Sequence, residues 1–175
     1  MNAKYLVMGM LLSSPFAAWG LDTLGSVSMQ VNVQDNTCSV DAVLGNVVLG
    51  PVALRDIQNR GGSSTPVPFS VLLKGCGIYA RSVSIYAGGT TIPGKPDVLA
   101  LSGSGNSDTA QGIGISLLDR VQHAVAINQS NQPVKEPLMP GGDTAIDFNA
   151  QYVLTGTIPR AGRADASVTL TFAYE

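Results

Sequence analysis

With 175 residues, 45% of them hydrophobic and 13% charged, the chain can bury one core and is too short for two full domains. Its formal net charge of −2 and pI near 5.2 leave no basic footprint, which sets aside nucleic acid and acidic membranes as partners. Twenty glycines and ten prolines, with abundant Ser and Thr, favour many short strands joined by turns over long helices.

The first twenty residues, MNAKYLVMGMLLSSPFAAWG, place Lys4 before an apolar run from Tyr5 to Leu12 and put Ala18 and Gly20 at the −3 and −1 positions of a small-residue cleavage site. This predicts a secretory signal peptide, too short to span a bilayer. Cleavage after Gly20 removes Lys4 and leaves 9 basic against 12 acidic residues, a net charge of −3. Cys38 and Cys76 are the two cysteines, and an exported chain meets oxidising conditions, so a single disulfide is expected. The alternative, a metal-binding or catalytic thiol pair, lacks both a CxxC spacing and any histidine besides His123.

After residue 20 the period-2 pattern of half-buried strands recurs. SVSMQVNVQD carries Val27, Met29, Val31 and Val33 on one face and Ser28, Gln30, Asn32 and Gln34 on the other. CSVDAVLGNVVLGPVAL has apolar positions around two glycines and a proline, which predicts a strand that breaks or changes sheet. NRGGSSTP is a turn leading into VPFSVLLKGC, and RSVSIYAG alternates through Val83 and Ile85. VLALS, GIGISLLD and HAVAIN read as shorter strands. The PGGD turn opens TAIDFNAQYVLTG, with Ile146, Phe148, Ala150 and Tyr152 on one side. Last comes ASVTLTFAYE, where Val168, Leu170 and Phe172 alternate with Ser167, Thr169 and Thr171. Eight or nine strands without a repeat or linker predict an all-β antiparallel sandwich. The final strand is odd, since nothing after it supplies a neighbour for its open edge.

Enzymatic chemistry does not emerge, and no cofactor or metal is expected. GTTIPGKP, residues 89 to 96, approaches a phosphate-binding loop, but Pro96 stands where a hydroxyl is needed, Pro93 removes an amide donor, and no helix follows. His123 with Asp119 or Asp143 and Ser116 or Ser130 could name a triad, yet there is no G-x-S-x-G elbow and a surface histidine is the simpler reading. The acidic residues are dispersed, without a calcium loop or paired carboxylates. Met29 and Met139 read as apolar fillers, and the one Trp lies in the signal peptide.

Taken in order, the alternating N-terminal segment, DNTCSV, TPVPFSVLLKGCG, GIGISLLD, Gly162 and the penultimate Tyr174 resemble the subunits of chaperone-usher pili, in particular the minor, tip-fibrillum-like pilins of type 1 fimbriae. The resemblance covers essentially the whole chain after residue 20. It implies an incomplete immunoglobulin-like sandwich that lacks its final strand and is completed by donor-strand exchange. A periplasmic chaperone lends a strand during folding, an outer-membrane usher exports the subunit, and in the fibre the N-terminal extension of the next subunit takes the chaperone's place. Carried onto this sequence, residues 1–20 are the signal peptide, 21–35 the donor extension and 36–175 the pilin domain.

Within that division the resemblance makes Val27, Met29, Val31 and Val33 the inserting side chains and Val168, Leu170 and Phe172 the wall of the acceptor groove. Gly162, Tyr174 and Glu175 fall at the chaperone-recognition end, and Cys38 with Cys76 match the family disulfide. Burying the four inserting side chains in a neighbour would gain about 6 to 12 kcal/mol before ordering costs. One position departs from the family pattern, because Val31 stands where a glycine is usual. A wider acceptor pocket or a narrower choice of neighbour would accommodate it. The implied role is a non-enzymatic structural subunit of an adhesive surface fimbria on a Gram-negative cell. The alternatives are a self-contained secreted binding module, lectin-like, in which Val27 to Val33 forms an ordinary first strand, and a receptor-binding tip subunit, for which there is no room.

Overall fold

The computed structural model describes residues 26–33, 38–41 and 46–175, with side chains 31–33 excepted. The expected signal peptide and the ends of the donor extension lie outside the described residues. Eleven strands and one short helix fall within them: β1 Ser26–Val33, β2 Ser39–Asp41, β3 Asn46–Val48, α1 Leu54–Asn59, β4 Val67–Lys74, β5 Ser82–Gly89, β6 Thr91–Ile92, β7 Lys95–Leu99, β8 Ile113–Leu118, β9 Val134–Pro137, β10 Thr144–Leu154 and β11 Ala166–Tyr174. They form a five-stranded sheet, β3-β1-β11-β5-β9, and a six-stranded sheet, β2-β4-β10-β8-β7-β6.

Alternation explains the two sheets' inner faces. On β10, Ile146, Phe148, Ala150 and Tyr152 are all buried, and on β11 so are Ala166, Val168, Leu170 and Phe172. These residues share one hydrophobic core between the sheets, as aligned sandwiches require. The stretch read as changing sheet does so, since β2 pairs with β4 in one sheet and β3 with β1 in the other.

Several expectations are corrected. The strand count rises to eleven because two- and three-residue pairings such as β6 carry no periodic signal of their own. HAVAIN is not a strand. Val125 and Ile127 are buried, but the segment makes only isolated bridges, Leu118 to Ala124 and Ala87 to Ile127, bounded by left-handed Gln122 and Asn128. It meets the end of β8, where the Val125 amide donates to the Leu117 carbonyl at 2.8 Å. A strand without an apolar pattern was missed instead: β9, VKEP, lies at a sheet edge, where charge and proline are tolerated. α1 also escaped notice, because six residues with one buried side chain, Ile57, give no helical period. Met139 is no filler; it is 67% exposed.

The expectation of an open edge on the last strand is likewise not met in the single chain. β11 lies between β5 and β1, so the alternating N-terminal segment covers that edge in its own chain. Among the named strands β1–β11 is the parallel pair, the others being antiparallel.

Candidate functional site at the β1–β11 seam

The seam is built from the first and last strands. Its register runs from Val27 opposite Ala166 to Val33 opposite Phe172. Val27 and Met29 are buried, at 1% and 6% exposure, and join the core cluster with Val168, Leu170 and Phe172. The predicted side-chain contacts of Val31 and Val33 lie outside the described residues, although the backbone of Val31 pairs with Leu170. On its other edge β1 is covered by β3 only from Ser26 to Ser28, among the described residues.

At the start of the seam, the Asp165 carboxylate accepts hydrogen bonds from the Ser26 amide (2.9 Å) and the Ser26 hydroxyl (2.6 Å), and from Arg163 Nη2 at 3.1 Å. The Ser26 hydroxyl bond holds the carboxyl below its usual range, against an opposing push from partial burial. A lowered folded pKa stabilises the seam above the unfolded value of 3.8, and that contribution is lost as pH falls through the lowered folded value. Hydrogen exchange of the β1 amides, corrected for intrinsic rates, should therefore accelerate below about pH 4 in the native chain, and the acceleration should be absent in Asp165→Asn. The same acceleration in both proteins would remove Asp165 from the account. Sequence reasoning missed this pair, since the partners are 139 residues apart and neither belongs to a motif.

The three predicted chaperone-recognition residues do not form one site. Gly162 precedes β11, where an added Cβ would come within 2.5 Å of the Ala110 nitrogen and 2.7 Å of the Asp108 carbonyl oxygen, so the close approach of two loops already demands glycine. Tyr174 and Glu175 stand at the other end of β11. The Glu175 main-chain oxygen accepts from the Arg81 and Ser82 amides at 2.9 and 3.2 Å, and its carboxylate accepts from the Ser84 hydroxyl at 3.1 Å. Tyr174 is partly buried, and burial raises its hydroxyl pKa; among the described residues that hydroxyl has no hydrogen-bond partner. Cys38 and Cys76 are joined in a disulfide that ties the start of β2 to the loop after β4.

Of the weaker constellation, His123 and Asp119 stay together, with His123 Nδ1 3.9 Å from Asp119 Oδ2, but the imidazole is exposed and Asp119 accepts from the amides of Val121 and His123. Ser116 donates to the Asp97 carbonyl, Asp143 accepts from the Gly75 amide, and Ser130 lies exposed. GTTIPGKP forms the β6–β7 hairpin, turning at left-handed Gly94. Among the described residues no three His, Cys, Asp or Glu side chains are grouped to hold a metal.

The described strands form a two-sheet β-sandwich whose first strand is seated beside its last. Residues 26–175 match the family described as Fimbrial protein, and the chain belongs to that family. It is a structural subunit of a surface fimbria, and the family is not one of enzymes. The S-fimbrial protein subunit SfaG of Escherichia coli is 35% identical over 171 residues, covering 95% of this chain and 93% of that protein. The fimbrial-like protein FimF of Salmonella typhimurium is 30% identical over 174 residues, covering 97% and 96%. Among solved structures, the P pilus rod subunit PapA superposes with a TM-score of 0.60 at 16% identity, covering 80% of this chain and all of that one. A subunit from the structure of a chaperone-usher pilus gives 0.57 at 14% identity, covering 82% and 91%. At those identities the structures establish the shared fold.

Proposed function

We propose that this fimbrial subunit is a chaperone-usher pilin that lacks the final strand of an immunoglobulin-like sandwich and polymerises by donor-strand exchange. Its Ser26–Val33 strand, with Val27, Met29, Val31 and Val33 as inserting side chains, passes to a neighbour. The β11 edge, with Val168, Leu170 and Phe172, receives another subunit's strand. A periplasmic chaperone occupies that edge before assembly, an outer-membrane usher carries the subunit to the cell surface, and residues 1–20 direct export.

The observation carrying this reading is the seam itself. β1 is joined covalently to the rest of the domain through residues 34–37, and its departure breaks its pairings with β11 and β3 but leaves those of β11 with β5 and of β10 with β4 and β8 untouched. It would, however, uncover a strip of wholly buried side chains, Val168, Leu170 and Phe172. An edge of that kind is a template for strand addition. The lectin-like alternative has one observation in its favour, the seating of β1 in its own sheet, but membership of the fimbrial family weighs against it.

Topology also favours one direction of entry into a neighbour. In its own sheet β1 ends beside the end of β11, near Cys38. Keeping that parallel register in a second molecule would bring like poles together, which closes reciprocally as a dimer. A growing fibre needs unlike poles in contact, so the donated strand runs antiparallel to the acceptor's last strand.

Deletion of residues 21–35 tests the proposal. The shortened chain is expected to accumulate with its chaperone and to receive a strand, yet to terminate growth because it donates none. Without chaperone or donor peptide it should aggregate. A stable monomer that unfolds cooperatively with no partner would end this reading.

A further inference from the structure

Three of the large apolar side chains exposed among the described residues gather at one pole: Ile78 (65%), Tyr79 (84%) and Met139 (67%). Their loops are fastened together, with the Cys76 amide donating to the Gly142 carbonyl at 3.2 Å and the Leu138 amide to the Arg81 carbonyl at 2.9 Å. A Cβ placed on Gly141 would lie 3.4 Å from Ile78 Cγ2, so the loop carrying Ile78 and Tyr79 touches the one that follows Met139. Scattered apolar residues need no explanation, but a cluster on two linked loops marks a contact surface, and tyrosine and methionine are enriched at such contacts.

We propose that Ile78, Tyr79 and Met139 form the face by which the body of this subunit docks on the adjoining fimbrial subunit, against the loop that precedes that neighbour's last strand. The inference rests on the donor-strand reading, and its physical basis is a leash. The donated strand ends at Val33, and the body begins at Cys38, five Cα steps later, which span at most about 18 Å. Cys38 is held with its Cα 4.1 Å from that of Cys76, two residues before Ile78. A donor whose strand is seated in a neighbour therefore has this pole pressed against the acceptor.

The entry direction identifies the surface it meets. In an antiparallel insertion the body-proximal end of the donated strand falls at the start of the acceptor's last strand. In this chain that position is flanked by the loop between β10 and β11, where Ile158 is 87% exposed. The apolar face thus meets a loop that presents the exposed Ile158 side chain beside Arg160 and Arg163, and the two poles of one molecule differ, as an open head-to-tail fibre requires.

The test replaces Tyr79 with p-benzoylphenylalanine in the full chain and irradiates assembled fimbriae. Cross-links should map to the segment just before the neighbour's last strand. Cross-links to the segment after that strand, cross-links confined to the same chain, or none at all in assembled fibres would each overturn the docking face. A second measurement avoids the bulky probe. Ile78→Ser with Tyr79→Ser should speed dissociation of fibres in denaturant at least tenfold while leaving unfolding of the free subunit unchanged, since both side chains are exposed there. Unchanged dissociation would reject the face. Assembly by chains carrying Val27→Asp would instead reject the donor-strand reading, so the two failures are told apart.

Discussion

Val27→Asp is expected to abolish fimbria formation by this subunit and to open its seam in solution. Val27 is 1% exposed and lies in the core cluster, so the substitution forfeits roughly 1.5 to 3 kcal/mol of burial and adds the larger cost of an unpaired carboxylate in an apolar site. The domain has an escape that most core sites lack. β1 can leave the sheet, which limits the penalty to the free energy of seating that strand and leaves the β11 edge uncovered. Urea unfolding should then show a lowered midpoint, and the β1 amides should lose exchange protection before those of β10. The same strand would also fail in a neighbour's groove, so surface fimbriae should vanish at unchanged subunit levels. Fimbriae assembled normally from Val27→Asp chains would reject the donor-strand reading.

Replacing both Cys38 and Cys76 by Ser should lower the free energy of unfolding by about 4 kcal/mol. The bridge spans 38 residues, and the chain-entropy account gives that magnitude for a loop of this length. Both cysteines are buried, at 6% and 3% exposure, so dithiothreitol should act slowly on the folded chain and rapidly only once denaturant opens it. Comparing urea midpoints with and without reductant measures the effect, and a difference under about 1 kcal/mol would contradict it.

Much of the fold was legible because alternation is a local property. Ile146, Phe148 and Ala150, like Val168, Leu170 and Phe172, declare a buried face through period 2 alone, and the structure buries all six. The sheet switch after Cys38 was legible too, since Gly45 interrupts the pattern between β2 and β3. The cysteine pair and the ordered motifs pointed to the fimbrial family without any coordinates. Other elements carried no local code. β9 is a polar edge strand, α1 is shorter than two helical turns, and HAVAIN has strand-like spacing but makes only isolated bridges.

Sequence alone therefore determined which faces are apolar, that the chain is all-β, and that its first and last strands matter. Tertiary structure alone decided how those strands meet: β1 parallel to β11, Ser26 on Asp165, Gly162 locked against the Asp108–Ala110 backbone, and Ile78, Tyr79 and Met139 gathered at one pole. The division has a physical cause. A side chain's facing follows from the torsions of its own few residues, whereas the edge that a strand pairs with is chosen among distant, chemically similar backbones by the packing of the whole domain.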